Sequence, residues 1–162
     1  MSRCLLGERV RYDGAIKNYS LLLNFIQQHF SIISVCPEVE IGLSVPRPAV
    51  QLCGDINNIK MLGRDDASID ITDAMQHYCK QRPTQLNSIC GYIFKSKSPS
   101  CGIKNIPIFN PQGEISAITK GLFASAILQQ FPNLPITDEQ ALTTTNQCTI
   151  FLQQVKHYQS LC

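Results

Sequence analysis

Three of the eight cysteines share a setting suited to chemistry. Cys4 ends the short apolar start of the chain and meets the turn of Leu5-Leu6-Gly7. Cys36 closes the β-branched run Ser31–Val35 and is followed at once by Pro37. Cys101 lies in the loop Lys97-Ser98-Pro99-Ser100-Cys101-Gly102, just past the strand candidate Ile89–Lys95. Each stands at or beyond the C-terminal end of an expected strand. In an open parallel sheet those ends form one edge, where ligands bind in a crevice. Three thiols far apart in sequence are therefore expected to converge.

Four thiolates would close a structural zinc or iron–sulfur site, whereas three leave one metal position open. Soft thiolates favour zinc, cuprous copper or an iron–sulfur cluster over hard cations. An open thiophilic metal can take a substrate sulfur or oxygen and polarise the carbon attached to it. The glycine and serines around Cys101 let backbone amides approach a negative sulfur. The remaining cysteines read as packing or surface thiols: Cys79 and Cys148 fall in expected helices, Cys90 inside a strand, and Cys162 is the last residue. Cys53, before Gly54-Asp55, is a weaker fourth candidate. No CxxC pair occurs, which argues against a zinc ribbon and a thioredoxin-type dithiol.

The elements that must position these thiols follow from hydrophobic spacing. Asn18–Phe30 sets Leu22, Phe25, Ile26 and Phe30 on one helical face. Thr72–Arg82 is expected to be helical, with Thr72 and Asp73 as caps and Pro83 at its end. Thr119–Phe131 is a further helix, stopped by Pro132, and Asn133–Ile136 is a brief extended piece. Thr145–Leu161 closes the chain, with Ile150, Phe151, Val155 and Tyr158 inward. Strands alternating with helices predict a single α/β domain: a Rossmann-like parallel sheet with helices on both faces. The stretch from Pro37 to Asp70, with three prolines and Gly42, Gly54 and Gly63, reads as irregular loops holding one short strand, Ala49–Cys53.

Composition narrows the function classes. The 162 residues are 44% hydrophobic and 16% charged, enough for one core without disulfides. Fourteen Lys and Arg against twelve Asp and Glu give a net charge of +2, so no general field favours long nucleic acid or an anionic membrane. Met1–Arg9 lacks the apolar core of a leader, and no apolar run approaches the ~20 residues of a membrane span. A cytoplasmic location, with free thiols, is the expectation.

Five segments then form a pattern: Cys4-Leu5-Leu6-Gly7, Arg11-Tyr12-Asp13-Gly14, Val35-Cys36-Pro37-Glu38-Val39, Gly42-Leu43-Ser44-Val45-Pro46-Arg47-Pro48 and Lys97-Ser98-Pro99-Ser100-Cys101-Gly102. In this order they resemble the thiouracil desulfidase family, a bacterial family, and the resemblance continues to Gly121-Leu122-Phe123-Ala124. It implies a Rossmann-like domain in which Cys4, Cys36 and Cys101 hold a [4Fe–4S] cluster with one open iron. The implied reaction is non-redox: 2- or 4-thiouracil, or a related nucleoside or nucleotide, becomes the oxo-pyrimidine and sulfide. The resemblance further implies two catalytic helpers, a glutamate beside the second cysteine, matched by Glu38, and a serine beside the third, matched by Ser98 one turn before Cys101, with Ser100 in reserve. One departure is that many relatives carry another cysteine where this chain reads Arg9-Val10-Arg11.

Other motif residues admit two readings. Arg11, Tyr12 and Asp13 suit hydrogen bonding to a pyrimidine edge, and equally an ordinary Asx turn. Arg47 suits a pair with Glu38, a contact to a substrate phosphate, or solvent. Ser98-Pro99-Ser100 also fits a capped turn without chemistry. His29, His77 and His157 lie in helices without partner motifs and read as structural. The competing functions are a zinc site or thiol relay on the same cysteines, and an iron–sulfur sulfur carrier or sensor without turnover.

Overall fold

The computed structural model describes residues 1–161, so Cys162 lies outside the described residues. A 3-10 turn, Arg3–Leu6, precedes α1 (Ser20–His29) and the one-turn α2 (Pro37–Glu40). A hairpin follows, β1 (Val50–Asp55) and β2 (Asn58–Gly63), then α3 (Thr72–Gln81), a 3-10 turn (Pro83–Leu86) and β3 (Tyr92–Phe94). The chain continues through β4 (Ile106–Phe109), β5 (Ile115–Thr119), α4 (Leu122–Gln130), β6 (Ile136–Asp138) and α5 (Thr145–Gln159). Among the described residues no helix is long and apolar enough to cross a membrane.

Helical spacing accounts for the helices. α1 buries Leu22 and Ile26, one turn apart, with Phe25 and Phe30 packed beside them. α5 opens on a capping box: Thr144 Oγ1 accepts from the Gln147 N–H at 3.3 Å, and Gln147 Oε1 accepts from the Thr144 N–H at 3.0 Å. Its buried stripe is Cys148, Phe151, Leu152 and Val155. Ile150, expected inward, is 48% exposed because that stripe leaves it on the far side. Neither expected cap of α3 acts as one; instead Asp70 Oδ1 accepts from the Thr72 N–H at 2.9 Å.

The sheets correct the expectation of a parallel Rossmann-like sheet. The larger sheet is mixed, ordered β2-β1-β4-β5. Only β1 and β4 are parallel; β1–β2 and β4–β5 are antiparallel hairpins. The stretch Pro37–Asp70 therefore holds a regular hairpin. Gly54, at φ +104°, and the Asp55 carboxylate, accepting from the Asn57 and Asn58 N–H groups, turn the chain there. The hydrophobic spacing marks no strand at β4 or β5, and Pro107 within β4 lacks the N–H of a ladder residue. The molecule is one small domain of helices and mixed sheet.

Parallel pairing that serves the cysteines is narrower. β3 pairs with β6, and its Ile93 carbonyl accepts from the Ser2 N–H at 2.9 Å. Ser2 forms a parallel bridge with Val35, since the Arg3 N–H donates to Val35 and the Val35 N–H to Met1. Val35, Ser2, β3 and β6 thus run side by side. The run Ser31–Val35, expected as a strand, contributes only this bridge. Ile93 packs with α1 and α5, while Tyr92 and Phe94 pack with Phe123 and Ile127 of α4. A separate cluster of Leu52, Met61, Ile106 and Ile108 seats the mixed sheet on Met75 of α3.

Candidate functional site

Parallel strands end together, and here the chain leaves Ser2 for Cys4, Val35 for Cys36 and β3 for the loop that carries Cys101. A cavity of about 360 Å³ opens at these ends. All three cysteines line it, with Arg11, Tyr12, Glu38, Arg47 and Ser98. Asp13 and Ser100 are outside the wall but hold residues that form it.

The Cys101 loop is shaped by its own serines and by α4. Ser98 Oγ accepts from the Cys101 N–H at 3.0 Å and from the Ser100 N–H at 3.3 Å. That is the capped turn foreseen from the sequence, and among the described residues the Ser98 hydroxyl accepts but does not donate. The first amides of α4 then find acceptors in the loop. Leu122 N–H donates to Pro99, and the N–H groups of Phe123 and Ala124 donate to Ser100. Gly121 makes the approach possible, because a Cβ there would stand 2.5 Å from the Ser100 carbonyl.

Glu38 reaches the cavity from α2, two residues beyond Cys36. Its Oε2 accepts from Arg47 Nη2 at 2.8 Å and Nε at 3.0 Å, and its Oε1 accepts from the Ser100 hydroxyl at 2.8 Å. Three of about four acceptor positions are used, leaving one on Oε1. Arg47 is 5% exposed at its side chain and also donates to the Val10 carbonyl at 2.9 Å. Of the readings open for Arg47, the pair with Glu38 is the one formed. Its guanidinium ties α2 to the loop containing Val10.

Arg11 is held by both Asp13 oxygens, at 2.8 and 3.1 Å, and lies 5.7 Å from the centre of the Tyr12 ring. Asp13 also accepts from the Ala15 N–H, so the Asx turn and the cation hold coexist. Hydrogen bonding to Arg11 brings the Asp13 carboxyl down to about 2.

The thiols lie within electrostatic reach of one another. Burial, then Cys36, pushes Cys4 up to about 11. Burial likewise raises Cys36, and raises Cys101 well above its usual range, with Cys4, Glu38 and Cys36 adding to the effect. Neutral thiols are favoured unless a cation supplies positive charge, and a bound metal does so. Among the described residues no three His, Cys, Asp or Glu side chains gather tightly enough to chelate one ion. A multi-iron cluster is wider than an ion, and three soft donors around an open cavity fit it.

Several wall residues escaped the sequence reading. Lys95 and Ser96 follow β3 directly, so the strand-end argument applied to the cysteines would have found them. Lys95 Nζ donates to Glu139 and to the Ser96 carbonyl and hydroxyl. Ser96 in turn donates to Glu139 through its N–H at 2.8 Å and its hydroxyl at 2.6 Å. Arg3, Lys17, Arg64 and Lys97 add further cations to the wall, of which Arg3 pairs with Glu8 and Arg64 with Asp65, and among the described residues Glu38 is the one carboxylate that lines it. These four carry no motif that marks them. Cys53, Cys79, Cys90 and Cys148 do not line the cavity.

Comparison with known proteins bears on this geometry. The family model for 2-thiouracil desulfurase matches residues 1–139. The chain belongs to the 2-thiouracil desulfurase family. A solved structure of a [4Fe-4S]-dependent thiouracil desulfidase, TudS, is similar with a TM-score of 0.68 and 26% identity. That similarity covers 94% of this chain and 95% of the other. No curated protein sequence matches. The desulfurase match takes in every residue of the cavity wall and ends at Glu139, leaving α5 outside it.

Proposed function

We propose that this chain, as one desulfidase-like domain, removes sulfur from a small thiolated pyrimidine. Water adds, and the products are the oxo-pyrimidine and hydrogen sulfide, with no net redox change. The observation that carries the reading is the meeting of Cys4, Cys36 and Cys101 in one cavity of a 2-thiouracil desulfurase family member.

In this reading Cys4, Cys36 and Cys101 would hold a [4Fe–4S] cluster, which when bound would supply thiophilic Lewis acidity toward a thiocarbonyl sulfur. Glu38 uses its spare Oε1 position to accept a proton from water as that water adds, a role typically worth ~10²–10⁴-fold. The Ser100 hydroxyl and Arg47 keep the carboxylate turned toward the cavity. Ser98 donates to the ring nitrogen or the departing sulfur. Arg11 and Tyr12 take the pyrimidine edge, with Asp13 fixing the guanidinium. Lys17 and Lys97 in the wall suit the phosphate of a thionucleotide and so extend the substrate range to one.

The test is iron and acid-labile sulfide per chain after anaerobic purification, beside Cys101→Ala, followed by thiouracil turnover. Matched iron and sulfide, lost in the variant together with turnover, support the reading. Full metal loading without turnover on any thiopyrimidine would leave a carrier. Absence of iron after reconstitution removes the mechanism.

A further inference from the structure

Beside Cys101 lie two buried hydroxyls that the proposed reaction leaves unused. Ser2 and Tyr92 are each 1% exposed. Tyr92 opens β3, and its ring stacks on Phe94 with centroids 4.1 Å apart and meets Phe123 edge-on at 6.1 Å. Cys101 packs in the same cluster as these three rings. A ring held on two sides cannot swing its oxygen out to water. Among the described residues the Tyr92 hydroxyl completes no hydrogen bond of good geometry. Native interiors rarely leave a hydroxyl so placed without a partner.

Ser2 is pinned alongside β3. Its N–H donates to the Ile93 carbonyl at 2.9 Å, and its Oγ accepts from the Lys95 N–H at 3.0 Å. From there its hydroxyl is within reach of both the Tyr92 phenol and the Cys101 sulfur, and it favours the charged form of each against the effect of burial. A serine hydroxyl offers one proton and two lone pairs. Lys95 occupies one lone pair and the phenol proton suits the other, which leaves the Ser2 proton for sulfur. A metal-bound cysteine is a thiolate and can only accept, so the direction of both bonds is fixed.

We propose that Tyr92 and Ser2 form a buried donor chain to a metal-ligating Cys101, the Tyr92 phenol donating to Ser2 Oγ and the Ser2 hydroxyl donating to Cys101 Sγ. Both are positioning residues: Ser2 acts on the sulfur, and Tyr92 acts through Ser2. The inference rests on the reading of Cys101 as a cluster ligand. Hydrogen bonds to the sulfurs are among the features that set the potential of an iron–sulfur centre. Partners behind a ligand typically change metal affinity or activity ~10–100-fold when removed. A donor draws electron density off the Cys101 sulfur, which strengthens the Lewis acidity that desulfuration calls on.

The test compares anaerobically reconstituted wild type, Ser2→Ala, Tyr92→Phe and the double variant. The readouts are the midpoint potential, from a redox titration followed by electron paramagnetic resonance, and the rate of iron loss to a chelator. Ser2→Ala should show a more negative potential and about tenfold faster iron loss. Tyr92→Phe should move both in the same direction by less, and the double variant should match Ser2→Ala, because Tyr92 acts only through Ser2. Tyr92→Phe deletes one oxygen and keeps the ring packing, so it gives an answer even where Ser2→Ala disturbs the fold. A phenol with a merely structural role would leave the potential unmoved. Tyr92→Phe with wild-type potential and iron loss overturns the proposal, and so does a double variant whose losses add. A wild type that takes up no iron overturns the cluster reading and this proposal together.

Discussion

The Ser100 hydroxyl donates to Glu38 Oε1 at 2.8 Å, joining the residue before Cys101 to the residue two beyond Cys36 across 62 positions of sequence. Ser100 is 1% exposed, so the bond is made behind the cavity wall. It couples the geometry of two thiol loops to the direction of one carboxylate. Ser100→Ala should therefore lower kcat about tenfold through lost orientation, while iron content stays at the wild-type level. Ser98→Ala acts within the cavity and should lower kcat further. Iron analysis with steady-state kinetics separates the two, and equal losses would mean that neither serine has a distinct role.

Glu38→Gln keeps the shape of the side chain and removes its capacity to take a proton. Turnover should fall ~10²–10⁴-fold with the iron content retained. Undiminished turnover would remove Glu38 from the proton step.

Arg47 and Glu38 form a pair nearly closed off from water. Arg47→Met leaves the carboxylate buried without its cation, a change that costs ~3–5 kcal/mol in comparable pairs. Combining it with Glu38→Gln should recover much of that loss, because no charge is then stranded. Urea denaturation of the two single variants and the double variant measures the coupling. Additive losses would show that the two side chains act independently.

The Lys95–Glu139 contact gives a pH signature. Burial raises the Glu139 carboxyl, but hydrogen bonds from Lys95 and Ser96 outweigh it and hold the group below its usual range. A depressed carboxyl adds stability that is present above the unfolded value, about 4.3 for Glu, and lost as pH falls through the folded value. Glu139→Gln should thus be less stable than wild type at pH 7, with the gap closing toward acid. Urea midpoints at descending pH test this, and a gap that does not change with pH would contradict it.

Gly121→Ala pushes a methyl against the Ser100 carbonyl and the Cys101 N–H, which a Cβ would approach to 2.5 and 2.8 Å. The backbone at Gly121 is ordinary, at φ −62°, so the effect is steric and local. Activity should drop ~10²-fold, as expected when a reacting group is misplaced by about 1 Å. Circular dichroism should stay native. A fully active variant would show that the loop yields without cost.

Helices were legible because burial imposes a period on them: Leu22 and Ile26 on α1, and Phe151 and Val155 on α5, mark their inner faces from sequence alone. The cysteine setting was legible too, since strand ends in a parallel array share an edge. The hairpins were not. β4 is only four residues long and contains Pro107, so it carries no clear strand pattern, and the punctuation from Pro37 to Asp70 hid a turn made by Gly54 and Asp55. The basic wall was invisible for another reason. Lys17, Arg64 and Lys97 come from separate loops, and only three-dimensional closure brings them to one cavity.

The carbonyls of Pro99 and Ser100 satisfy the first amides of α4, so the shape of the Cys101 loop is written into the hydrogen bonds of the polypeptide itself. A side chain changed on α4 can thus alter the cavity without touching it, because the first turn of that helix and the thiol loop are one hydrogen-bonded piece.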